Sequence, residues 1–105
     1  MPRIQVIALF PSETIPEYVR QLLVGRIFET YSSFVSVPAL KVVDSVGNQI
    51  PDDGWRGYVI DKEHFLSVLD EECPDAAHWY RTVSILKEPN VKVYLLETRY
   101  CRIVR

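Results

Sequence analysis

Cysteine is scarce in this chain of 105 residues: Cys73 and Cys101 are its only two. Two thiols make no disulfide framework, and in a reducing compartment they are expected to stay free. No Cys-x-x-Cys or comparable close pair occurs, which argues against structural zinc. His64, Cys73 and His78 stand near one another in sequence but on different predicted helices, so no metal site is expected. Glycine is also sparse, with four residues at 25, 47, 54 and 57. None belongs to a loop pattern that cradles phosphate, and no cofactor is expected. No apolar run approaches the roughly 20 residues of a membrane span. Near the start, Pro11-Ser12-Glu13 interrupts the short apolar stretch, unlike a signal peptide, so a cytoplasmic location is expected. The net charge of −2 lies too close to zero for nucleic acid to be the default partner.

That small net charge hides a division. From Asp44 to Asp75 there are nine carboxylates against two cations, a net −7; from Ala76 to Arg105 there are six cations against two carboxylates, a net +4. A divided charge distribution steers and orients charged partners. Apolar residues at 48% and charged residues at 25% match an ordinary globular protein. The length suits one domain over residues 1–105, with a single core.

The chain reads as alternating strands and helices. Residues 3–10 are nearly continuously apolar and suit a buried strand. Thr14 and Glu17 have the capping-box spacing, and Ile15, Val19, Leu22, Leu23, Ile27 and Tyr31 recur at helical spacing, which predicts a helix over 16–31. Extended segments follow at 34–37 and 40–44, with Pro38 favouring a sheet edge. Turns are expected at 45–48 and 52–54 and a strand at 55–60. Asp61 suits the N-cap of a helix carrying Phe65, Leu66, Val68 and Leu69. Cys73-Pro74 breaks that helix, and a second is expected to run to about Lys87. A strand over 91–97 and a short extension at 100–104 complete the pattern. The order predicts an α+β fold of the ferredoxin-like, split β-α-β kind, an antiparallel four- to five-stranded sheet with helices on one face. Tyr58, Ile60, Tyr94 and Leu96 then crowd the strands with apolar side chains. A homodimer through the uncovered face is the expected remedy, because large apolar patches mark interaction sites.

No constellation of catalytic residues outweighs a structural role for the same side chains. Cys73 sits at a helix start, where the dipole favours thiolate, but Asp70, Glu71, Glu72 and Asp75 oppose it. Arg56-Gly57-Tyr58 matches only the opening of the RNA-binding sheet signature. The best acid–base couple is Asp61 with His64, at the end of a strand and the start of a helix. The leading expectation is a non-enzymatic protein–protein interaction module, an adaptor or inhibitor. Its acidic surface would be Asp52, Asp53, Asp61, Glu63, Asp70, Glu71 and Glu72, anchored by Trp55, and would bind a basic partner protein.

The opening, with a strand ending in Leu9-Phe10, then Pro11 and a helix entered at Pro16-Glu17, resembles that of dimeric α/β-barrel proteins. The resemblance covers only that stretch. It implies paired ferredoxin-like subunits and, in some members, small-molecule enzymes. The alternative expectation is therefore a small-molecule enzyme or ligand-binding protein of that kind. His64 would be its acid–base group, Asp61 would orient it, and Tyr58 and Trp55 would line the pocket.

Overall fold

A computed structural model of the chain describes residues 2–31, 34–37, 42–43, 49–50 and 55–105, with side chains described for 2–31 and 56–105. The elements are β1 (Arg3–Val6), α1 (Glu17–Leu23), β2 (Ile27–Glu29), β3 (Phe34–Val37), β4 (Val42–Val43), β5 (Gln49–Ile50), β6 (Trp55–Asp61), α2 (Lys62–Glu72), α3 (Pro74–Thr82), β7 (Val93–Glu97) and β8 (Cys101–Val104). A 3-10 turn at Ile85–Lys87 follows α3, and another at Thr98–Tyr100 separates β7 from β8.

The first helix is shorter than its apolar stripe predicts. It ends at Leu23, and Gly25 adopts φ +92°, a backbone conformation that other residues occupy only under strain. The Gly25 N–H then donates to the Val6 carbonyl at 2.7 Å, which turns the chain back onto β1. Ile27-Phe28-Glu29 therefore becomes a strand with only Phe28 buried, although its spacing also fits a helix. The expected capping box is replaced as well. Ser12 Oγ accepts from the Thr14 and Ile15 N–H groups, while Arg20 donates from Nε to the Ile15 carbonyl and from Nη1 to the Phe10 carbonyl. These bonds tie the loop before α1 to the helix itself.

The fold is mixed α+β, with antiparallel pairing throughout the described strands. The strands are divided between a β2-β1-β8 sheet, a β3-β6-β7 sheet and a β4-β5 ribbon. The expected single sheet of four to five strands is not what these pairs make. A split β-α-β sheet would include a parallel pair of strands, and every described pair here is antiparallel. β1 and β6 also lie in different sheets. Both residues 3–10 and 100–104 contribute, but the first gives only four strand residues and the second returns beside them, Arg3 opposite Val104. The two larger sheets touch where the Tyr31 N–H donates to the Val59 carbonyl at 3.0 Å.

Among the described residues, one core joins the helices to strands of both larger sheets. Ile4, Val6 and Phe28 from the first sheet meet Ile60 and Leu96 from the second, with Val19, Leu23, Phe65, Leu69, Trp79 and Leu86 from the helices and 3-10 turn. Tyr58 and Tyr94 pack against the same cluster. The four strand residues behind the expected homodimer therefore face the helices, and they do not supply its apolar face. Two apolar residues lie outside it: Ile27, which the sequence places in the stripe of the first helix, is 39% exposed, and Val83 is 58% exposed. Ile27 points away from Phe28 by strand alternation, and Val83 follows the end of α3. No helix among the described residues is long and apolar enough to cross a membrane. The turns expected at 45–48 and 52–54, and Pro38, lie outside the described residues.

Leu23, fully buried, should lose about 2–5 kcal/mol of stability on truncation to Ala. Ile27→Ala should stay within about 1 kcal/mol, near the scale of surface changes. Gly25→Ala meets no atom within 4 Å of the added carbon, so its cost is the backbone alone, roughly 1–2 kcal/mol. Urea unfolding of the three variants checks the order.

Candidate functional site

The junction of β6 and α2 carries the couple expected from the sequence, and its bonds are structural. Asp61 Oδ2 accepts from the backbone N–H of His64 at 3.2 Å, as an N-cap does. The His64 ring turns to β2, where Nε2 accepts from the Glu29 N–H at 2.9 Å. That N–H lies on the side of β2 away from β1, so His64 closes a sheet edge that would otherwise be open. The two side chains do not meet as an acid–base pair.

The expected acidic surface is locally neutralised where side chains are described. On α2, Asp70 receives Arg81 Nη2 at 2.6 Å and Glu72 receives Arg26 Nη1 at 3.3 Å. Asp61 and Glu63 line a cleft of about 520 Å³ together with Lys62, Arg81, Lys87 and Lys92, two carboxylates against four cations. Glu71 is exposed on α2. Asp52 and Asp53 lie outside the described residues, and Trp55 is placed only through its backbone on β6.

A second depression of about 320 Å³ opens between α3, the 3-10 turn, β7 and the loop before α1. Tyr80 and Tyr94 line it, their hydroxyls 2.7 Å apart in a mutual hydrogen bond. Tyr94 stacks on Phe65 with ring centroids 4.1 Å apart, and Tyr80 meets the same ring edge-on at 5.0 Å. Burial pushes both phenols above the ordinary tyrosine range, and the neighbouring Tyr94 adds to the rise at Tyr80. They are therefore neutral hydrogen-bonding groups. Ile15, Val83 and Ile85 complete an apolar wall, and the described lining contains no charged side chain. Val83 and Ile85 are 58% and 68% exposed, the most exposed of the large apolar residues near this opening.

Sequence reading missed this pocket because its residues come from separate segments around positions 14–15, 79–86 and 94. One signal was legible: Val83 and Ile85 fall two apart, a spacing that cannot put both on the buried face of a helix. Both cysteines are free, as expected, and they pack in or against the core. Cys73 is 4% exposed, and burial raises its thiol pKa against the opposing pull of Arg26. Burial pushes the Cys101 thiol up to about 11. Among the described residues no cluster of His, Cys, Asp or Glu is placed to hold a metal ion. Comparisons with family models, curated proteins and solved structures give no match.

These shifts predict alkaline destabilisation. A group raised in the folded state contributes stability that is complete below its unfolded pKa and lost as pH rises through the folded value. For Cys101 the window runs from 9.0 to about 11, and Tyr80 and Tyr94 act in the same direction at higher pH. The urea midpoint should therefore fall steadily over that window. Cys101→Ser should flatten the first part of the fall.

Proposed function

We propose that this chain is a non-enzymatic protein-binding module whose contact centres on the apolar pocket beside α3. The observation that carries this reading is the pairing of the roughly 320 Å³ depression with two exposed aliphatic side chains, Val83 and Ile85, in its wall. Large apolar residues held in water beside a concave apolar surface are the usual makings of a hot spot, where an anchor side chain of a partner is enclosed. The described lining has no acid, base or charged group to transform a substrate, and the tyrosine hydroxyls already satisfy each other in part. An adaptor or inhibitor fits these features.

A ligand-binding role for small molecules is the second reading. It draws on the pocket's position between helices and strand β7, and on a volume at the lower end of the ligand-site range. The two readings separate in one experiment. Peptides selected from a random phage-displayed library against the full chain should shift the amide signals of residues 83–86 and Tyr94. Ile85→Glu should weaken them by roughly tenfold or more with little effect on unfolding, since Ile85 is mostly exposed. Peptide binding that Ile85→Glu leaves intact would sink the proposal. Indole or toluene entering the pocket with no peptide selected would favour the small-molecule reading.

A further inference from the structure

We infer that the segment which seats an apolar anchor in the pocket also carries carboxylates beside that anchor, and that these are received by the cationic cleft across the 3-10 turn. This rests on the protein-binding reading above and supplies the chemistry of the partner, an acidic peptide segment.

The two depressions share a wall. Leu86 lines both and is itself 2% exposed. Its neighbours diverge, Ile85 towards the apolar pocket and Lys87 towards the cleft. Residues two apart have Cα atoms separated by at most about 7 Å, which an extended peptide covers in two residues. An anchor in the pocket therefore brings side chains two to four positions away within reach of the cleft.

The cleft's charge selects the sign of those side chains. Four cations face two carboxylates; Arg81 is already paired with Asp70 beside the cleft, which leaves Lys62, Lys87 and Lys92, outside any ion pair among the described residues, against Asp61 and Glu63. Lys62 is held in place by donating Nζ to the Glu88 carbonyl at 3.0 Å, and Arg81 is held by Asp70 at 2.6 Å. Both keep further N–H donors. The side chains of Lys87 and Lys92 make no hydrogen bond or ion pair among the described residues. Leu66, Leu86 and Val91 give the cleft an apolar floor, and Glu63 in its wall opposes a dense polyanion. A peptide with spaced carboxylates satisfies all of these features; a nucleic acid satisfies fewer.

The same peptide selection tests this on the full chain. Enriched sequences should place Asp or Glu two to four positions from a large apolar residue. A synthetic peptide of that kind should lose roughly tenfold or more in affinity for the Lys87→Glu, Lys92→Glu double variant. It should lose a comparable amount when its own acids become Asn and Gln, and it should weaken with rising salt. Glu71→Lys, on α2 and outside the cleft lining, should leave affinity within about twofold. Selected peptides without acidic enrichment, weakened by Ile85→Glu but not by the lysine reversals, would overturn the inference and leave the module reading standing. An oligothymidylate that displaces the peptide at equal concentration would also overturn it. Binders indifferent to Ile85→Glu, or no specific binder at all, would count against both.

Discussion

Phe65 is the ring on which the rest of the molecule is assembled. It sits on α2 and touches Phe28 of β2, Tyr80 of α3 and Tyr94 of β7, with centroids 5.1, 5.0 and 4.1 Å away. One side chain thus joins both three-stranded sheets and two helices. Aromatic pairs in stacked and edge-to-face geometry contribute about 0.5–1.5 kcal/mol beyond area burial, and here one of each, with Tyr94 and Tyr80, joins a tilted contact to Phe28 on a fully buried group. Their placement also explains the tyrosine pair. Rings drawn this deep need partners for their hydroxyls, and the 2.7 Å bond between Tyr80 and Tyr94 gives each one.

The division into two sheets follows from constraints a single-sequence pattern does not register. Ile27 and Tyr31 continue the helical spacing of Ile15, Val19 and Leu23, so periodicity favours one long helix. Gly25 decides otherwise through its positive φ and its bond to Val6. Signals that act within a few residues were legible: Asp61 as an N-cap, Pro74 at the first turn of α3, and the alternation of Val93–Glu97. The strand partners were not, because pairing depends on long-range register. β8 beside β1 brings together residues nearly the whole chain apart.

Charge shows the same separation between sequence and surface. A segment with net −7 reads as an acidic face, yet two of its carboxylates on α2 meet arginines contributed by other elements. Exposed pairs of this sort add at most about 1 kcal/mol each, but they change what a partner senses. Lys62 and the C-terminal cations Lys87 and Lys92 gather with Arg81 around the start of α2. The cationic cleft is therefore assembled in part from the segment that looks most acidic in one dimension.

The exposed rim of the pocket is built by hydrogen bonds, and is not a remainder of imperfect packing. Ser84 Oγ donates to the Tyr80 carbonyl at 2.7 Å and accepts from the Leu86 N–H at 3.0 Å. One hydroxyl thus supports the last turn of α3 and caps the 3-10 turn that follows. With that turn fixed, Leu86 is directed into the core and Ile85 outward, 2% against 68% exposed. The short capped turn fixes Ile85 at the rim of the concavity, and such a pre-formed surface is what the proposed binding role calls for.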